Sequence, residues 1–127
     1  MITYTDGACS GNPGPMGIGF VIFQDEKEIF RESKSIGNGT NNTAEYNAVF
    51  FALSKALELG AKSLIVRSDS LLIVKQLSGQ YRIKEVHLRE LKSKIESLIP
   101  KDFEIHFEHI PREENKIADK LSKDALK

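Results

Sequence analysis

The sequence has 127 residues and a mass of 14.2 kDa, a length that suits one folded domain with its own apolar core. Eighteen basic side chains balance eighteen acidic ones, which excludes a global positive field that would attract nucleic acid or an anionic membrane. The single cysteine, Cys9, cannot form an internal disulfide, and no apolar run is long enough for a membrane span. We therefore predict a single domain over residues 1–127, in the cytoplasm and without a membrane partner.

The first third of the chain carries the composition of β-strands. Short β-branched or aromatic runs at residues 1–5 and 17–23 predict two strands, and the Gly/Pro-rich stretch 7–17 between them predicts a structured loop. Apolar and charged residues alternate over 28–36, which favours a third, half-exposed strand. Together these runs predict an antiparallel meander.

The rest of the chain alternates between helical and strand patterns. Apolar residues recur at three- and four-residue steps from Thr43 to Leu59, and Gly60 follows as a typical helix-ending residue. A continuous apolar run at 63–67 predicts a strand that is buried on both faces. The other predicted elements are a helix at 71–77, a helix at 86–99, a strand at 103–110 and a terminal helix that contains 117–125.

This order of elements, β-β-β-α-β-α-α-β-α, predicts an α/β fold. A five-stranded mixed sheet satisfies it, with an antiparallel meander, parallel strands and helices on both faces. Ligands on such sheets bind at the carboxyl ends of the parallel strands. One core uses all the apolar stripes, so we expect a monomer.

Four carboxylates follow or flank these elements, and each has an ordinary structural explanation. Asp69 could cap a helix and Asp6 could form a turn, while Glu45 could interact favourably with a helix dipole and Asp119 could be solvated. If the four instead converge, their mutual repulsion requires cations. Two Mg²⁺ ions on hard oxygen ligands would suit a nuclease that clamps a phosphodiester.

Longer segments of the sequence bear on these alternatives. YTDGACSGNPGPMGIGFVI, TNNTAEYNAVFFAL, IVRSDSLLIVKQLSG and HIPREENKIADKLS occur in an order that resembles a compact type 1 ribonuclease H over essentially the whole chain. The resemblance implies a ribonuclease H-like fold and hydrolysis of the RNA strand in RNA/DNA hybrids, leaving 5′-phosphate and 3′-hydroxyl ends. It assigns catalysis and the binding of two divalent ions, Mg²⁺ with Mn²⁺ as a substitute, to Asp6, Glu45, Asp69 and Asp119.

The same resemblance implies contacts to the hybrid. Gly11 and Asn12 in the first loop, and Thr40 and Asn41 before the long helix, are expected to bind it. Small amides and loop main chain can approach a shallow minor groove, where the 2′-hydroxyl distinguishes RNA from DNA. Turn formation and helix capping are the alternative roles of these residues.

Arg112 occupies a short P-R-E-x-N loop where many relatives carry a mobile histidine. We expect Arg112 to face the scissile phosphate, with a surface ion pair to a neighbouring glutamate as the alternative. His109 directly follows an alternating strand, so we expect it to end that strand. The basic run 82–94 is either a solvated helix face or a weak nucleic-acid contact.

Two functional alternatives stay open at this point. The first is a module that binds hybrids or double-stranded RNA without cutting, and the second is a related nuclease with a different main substrate. Fold analogy alone does not decide the substrate.

Overall fold

The computed structural model describes residues 1–127, and its five strands form one mixed sheet in the order β3-β2-β1-β4-β5. A short 3₁₀ turn, Arg112–Glu114, precedes the last helix. The elements are β1 Ile2–Cys9, β2 Gly14–Gln24, β3 Lys27–Gly39, α1 Asn41–Glu58, β4 Ser63–Ser68, α2 Leu71–Leu77, α3 Val86–Leu98, β5 Glu104–His109 and α4 Lys116–Asp124. The predicted fold class and element order are confirmed.

The sheet combines two kinds of pairing. β1, β2 and β3 form the predicted antiparallel meander, whereas β4 runs parallel to both β1 and β5. The pairing of β1 with β4 ends at Tyr4 opposite Arg67, although β1 continues to Cys9 alongside β2. One side of β1 is therefore free of a strand partner beyond Tyr4, and this gap gives the site its position.

The predicted loop at 7–17 is wrong, because most of it is strand. Asp6–Cys9 pairs with Met16–Gly19, and only the segment 10–13 connects β1 to β2. Two of the glycines that suggested a loop, Gly7 and Gly17, serve helix packing instead. A Cβ at Gly7 would lie 2.4 Å from the Ala44 carbonyl carbon. The chain thus needs glycine here to bring a helix onto the strand.

Helices cover both faces of the sheet. α1 packs on β1 and β2 over a core that includes Ile18, Phe20 and Val49, with α3 alongside it. α4 packs on the opposite face, where a Cβ at Gly19 would lie 2.5 Å from the Ser122 nitrogen. None of the four helices combines the length and apolar character needed to cross a bilayer.

Three apolar residues at the ends of the predicted helical segments are exposed. The exposed fractions are 59% for Val86, 40% for Leu59 and 40% for Ile117. Val86 opens α3, Leu59 lies just past α1, and Ile117 is the second residue of α4. The spacing of apolar residues identifies the buried face of a helix. It does not show whether the terminal residues of that face still have a neighbouring element to pack against.

Candidate metal centre

Asp6 lies in β1, two residues beyond the last pair that β1 makes with β4. It is opposite Gly19 in the antiparallel ladder and is 7% exposed. The alternative role of Asp6 as a turn residue is wrong, because the strand continues through it. The missing strand partner beyond Tyr4 leaves room beside Asp6 for side chains from neighbouring elements.

Glu45 reaches β1 from the first part of α1. Because Gly7 has no side chain, the α1 backbone lies directly against β1, and the Gly7 N–H donates a hydrogen bond to Glu45 Oε1. Glu45 is the fifth residue of α1, beyond its first turn, so the helix-dipole alternative does not explain its position.

Asp69 follows the carboxyl end of β4. The helix-capping alternative is wrong for Asp69, because Ser70 caps α2 by accepting from the Ile73 N–H over 3.3 Å. Asp69 Oδ2 instead accepts a hydrogen bond from Asn115 Nδ2 over 3.3 Å. The Asn115 amide also donates to the Thr5 carbonyl over 2.9 Å, which links Asp69 to the strand that carries Asp6.

Asp119 comes from α4 on the other face of the sheet. Close packing of α4 on Gly19 brings this helix to the residue that pairs with Asp6. Asp119 Oδ2 lies 3.1 Å from Lys123 Nζ, one helical turn further along α4. The Asp119 side chain is 28% exposed, so it lies at the rim of the cluster and not at its buried base.

The four carboxylates border one open cleft of about 480 Å³. Oxygen atoms of Asp6, Glu45 and Asp69 lie within 4.8 Å of one another. Asp119 lines the same cleft and contributes to the raised pKa of Asp6. The cleft is lined by Asp6, Gly7, Ala8, Cys9, Asn41, Asn42, Glu45, Asp69, Arg112, Asp119 and Lys123.

Two acids of the cluster, Asp6 and Glu45, hold protons more tightly than isolated carboxylates do. Burial is the main reason that the pKa of Asp6 rises from 3.8 to about 7; a hydrogen bond with Glu45 opposes the rise, and the charge of Asp69 adds to it. Burial, followed by the charge of Asp6, also raises the pKa of Glu45 well above its ordinary value of 4.5. Near neutral pH a proton therefore stays within this pair unless a cation replaces it.

This donor set fits a hard divalent cation. Carboxylate oxygens are the ligands that Mg²⁺ and Mn²⁺ prefer, and an open cleft leaves room for water and phosphate oxygens. No basic side chain forms an ion pair with Asp6, Glu45 or Asp69. Their negative charge is thus left for an external cation to neutralise.

The residues expected to bind substrate are placed unequally around this cleft. Asn41 and Arg112 line it, whereas Gly11, Asn12 and Thr40 do not. Arg112 takes part in no ion pair, so the alternative of a surface pair with a neighbouring glutamate is wrong. His109 ends β5 and lies outside the cleft lining, as the alternation of that strand predicts.

The residues outside the lining have local structural roles. Thr40 caps α1 by accepting from the Thr43 N–H over 3.2 Å. Asn12 Oδ1 accepts from the Asn41 N–H over 3.1 Å, which ties the β1–β2 connection to the start of α1. The helix-capping alternative is therefore confirmed for Thr40.

Sequence reasoning missed two polar residues of the centre. Asn115 is 1% exposed and contacts Asp69, yet in sequence it is one asparagine beside a helix start. Lys123 contacts Asp119 from four residues away. The signal for Lys123 was helical spacing, since it lies four residues from Asp119 along α4. No local signal indicated the contacts of Asn115, whose partners Thr5 and Asp69 are distant in sequence.

Comparisons with known proteins identify the family. A family model described as reverse transcriptase-like matches residues 4–125. The crystal structure of ribonuclease H1 from the archaeon Halobacterium salinarum superposes with a TM-score of 0.93 at 36% identity, covering 98% of this chain and 96% of that one. This chain belongs to the type 1 ribonuclease H family. Only residues 78–85 connect α2 to α3, and the chain is a compact member of the family.

Further ribonuclease H relatives match over the same residues, although some of them are longer proteins. LC11 ribonuclease H1, solved in complex with an RNA/DNA hybrid, is 41% identical with a TM-score of 0.91, covering 98% of this chain and 95% of that one. Bifunctional protein Rv2228c of Mycobacterium tuberculosis is 38% identical over 128 residues, and Ribonuclease HI of H. salinarum is 37% identical over 124. The chain spans only 35% and 62% of the lengths of these two curated relatives.

Proposed function

We propose that this chain is a metal-dependent endonuclease that hydrolyses the RNA strand of RNA/DNA hybrids and leaves 5′-phosphate and 3′-hydroxyl ends. The observation that carries the proposal is the convergence of oxygen atoms from Asp6, Glu45 and Asp69 within 4.8 Å, with Asp119 on the same cleft. Support comes from the relatives, of which LC11 ribonuclease H1 was solved with an RNA/DNA hybrid.

The four carboxylates would hold two Mg²⁺ ions, with Mn²⁺ as a substitute. Asp6 would contribute to both sites, Glu45 and Asp69 would complete one, and Asp119 would complete the other. Bound in this way, the ions would activate a water and stabilise the leaving oxygen of an in-line displacement. Asn115 would keep Asp69 oriented through its hydrogen bond to Oδ2.

Substrate recognition would come from the segments beside the cleft. Asn41 lines it and Asn12 is tied to Asn41, so both amides are suited to approach the minor groove, where they would read the 2′-hydroxyl. Gly11 would offer backbone groups there, and Thr40 would lie beside the DNA phosphate. Arg112, exposed and free of ion pairs, would contact the scissile phosphate.

Cleavage of end-labelled duplexes tests this function. We expect Mg²⁺-dependent cutting of the RNA strand of a hybrid and no cutting in the presence of a chelator. Asp69→Asn should abolish the cutting, whereas Asp25→Asn, in the exposed turn between β2 and β3, should retain it. Analysis of the product ends should show a 5′-phosphate and a 3′-hydroxyl.

The same assay addresses the alternatives. Saturable hybrid binding without cleavage would favour a binding module over an enzyme. Faster cleavage of double-stranded RNA, or of RNA beside a DNA junction, would favour a related nuclease with another main substrate. The monomeric state, the cytoplasmic location and the single-domain organisation stay predictions, which size-exclusion chromatography and fractionation of the cell of origin can check.

A further inference from the structure

The four acids of the centre differ in how their charge is balanced. Asp6, Glu45 and Asp69 form no ion pair, whereas Asp119 Oδ2 lies 3.1 Å from Lys123 Nζ. Asp119 is also the acid that stands outside the group of three with oxygens within 4.8 Å. The protein therefore supplies its own cation to one carboxylate, the one at the rim.

Lys123 is placed so that it can hold Asp119 and also release it. Both residues lie on α4 at a spacing of four residues, which brings side chains together on one helical face. The Lys123 side chain is 59% exposed, so its ammonium can move into water at little cost. Lys123 also lines the cleft, so its charge faces the position at which a divalent ion would bind.

A second pair on the same helix provides a reference. Lys120 Nζ lies 2.9 Å from Asp124 Oδ2, with the same spacing and a side chain that is 76% exposed. Neither Lys120 nor Asp124 lines the cleft. The two pairs therefore share their spacing and differ in whether the carboxylate faces the centre; Asp124 also has a second partner, Lys127 Nζ, at 3.2 Å.

We propose that Lys123 competes with divalent metal for Asp119: it pairs with this carboxylate in the metal-free protein and leaves it when an ion binds there. This inference rests on the proposed metal-dependent function and adds a residue that controls it. Ion binding at Asp119 Oδ2 would displace an ammonium, whereas binding to Asp6, Glu45 and Asp69 would displace none. We therefore expect the ion on the Asp119 side to be the weaker-bound one.

The expected size of the effect follows from the exposure of the pair. Breaking a surface pair at this spacing changes an equilibrium about twofold, and removing a positive charge beside a divalent ion adds to it. Lys123→Met should therefore strengthen the weaker Mn²⁺ binding about twofold to tenfold at low ionic strength. The tighter binding should change less.

Titration with Mn²⁺ alone, followed by the electron paramagnetic resonance signal of the free ion, tests the proposal without substrate. Methionine retains most of the aliphatic stem of lysine, so Lys123→Met and Lys120→Met form a matched pair of variants. We expect stronger Mn²⁺ binding in the first variant and wild-type binding in the second. Equal binding by the wild type and Lys123→Met would overturn the role of Lys123 and leave the proposed function intact.

A double-mutant cycle separates displacement from long-range repulsion. In an Asp119→Asn background the gain in Mn²⁺ affinity from Lys123→Met should be smaller, because the contested carboxylate is absent and only the long-range effect of the lysine charge remains. An equal gain in both backgrounds would overturn the proposal. Absence of any Mn²⁺ binding to the wild type would instead contradict the proposed function itself, and with it the proposal.

Nuclear magnetic resonance provides a direct readout of the ammonium. The signals of the Lys123 ε-methylene group should shift during a Mg²⁺ titration, while those of Lys120 stay unchanged in the same sample. A Lys123 signal that does not respond at saturating Mg²⁺ would contradict the displacement.

Discussion

The replacement of Asp6 by asparagine should stabilise the metal-free protein at alkaline pH. The pKa of Asp6 is about 7 in the folded protein, above the ordinary value of 3.8, mainly because the carboxyl group is buried. A raised pKa means that the folded state binds more protons than the unfolded state between these two values. Asp6 therefore reduces stability progressively as the pH rises from about 4 to about 7, and fully above that. Asparagine removes this pH-dependent penalty.

The interval between 3.8 and about 7 corresponds to about 4 kcal/mol at about 1.4 kcal/mol per pH unit. Because Glu45 can take up part of the charge rearrangement, we expect Asp6→Asn to gain about 2–4 kcal/mol at pH 8. At pH 4 the two proteins should differ little, since Asp6 is then largely protonated. Urea unfolding in a chelating buffer at several pH values measures the difference.

Asp124 on α4 provides a control, because its pKa is shifted in the opposite direction to that of Asp6. Hydrogen bonds from Lys120 and Lys127 hold the pKa of Asp124 below its ordinary value, so Asp124→Asn should bring no gain at pH 8. Added Mg²⁺ should stabilise the wild type and have little effect on Asp6→Asn. If the stability difference between wild type and Asp6→Asn were the same at pH 4 and pH 8, the reasoning about the buried carboxylate would be refuted.

Three further changes test other parts of the account. Asn115→Ala should lower the free energy of unfolding by about 1–3 kcal/mol, because the Thr5 carbonyl and Asp69 lose a buried donor; a urea midpoint equal to wild type would contradict this. Gly7→Ala should destabilise the fold by about 1–3 kcal/mol and weaken Mn²⁺ binding, since its Cβ would overlap the α1 backbone. A variant with the unfolding free energy and the Mn²⁺ affinity of the wild type would exclude that overlap. If the basic run 82–94 contacts phosphate, Lys84→Ala should reduce by about one the slope of the logarithm of the hybrid-binding constant against the logarithm of the salt concentration. An unchanged slope would assign that run to a solvated helix face.

The order of elements was predictable from the sequence because periodicity and turn residues reflect local physics. The exposed ends of helices were not, since Val86 and Leu59 depend on how far the neighbouring elements extend. The 7–17 segment was misassigned for a related reason. Its glycines suggest a loop to any local rule, yet Gly7 and Gly17 are required by the backbones of α1 and α4, which come from distant parts of the chain.

The centre was predictable only through the resemblance, because its acids are separated by long stretches of chain. Their proximity depends on two close approaches, α1 on Gly7 and α4 on Gly19, which no spacing reveals. The role of Asn115 is equally non-local, since its amide joins α4 to Thr5 of β1. The catalytic and substrate-binding roles themselves stay predictions.

Crystals soaked in Mn²⁺ test the central claim most directly, through the anomalous scattering of the ion. We expect two peaks about 3.5–4 Å apart in the cleft, both in contact with Asp6, one beside Glu45 and Asp69 and the other beside Asp119. A fully soaked crystal in which Asp6 and Asp119 point into different regions, with no peak between them, would contradict it.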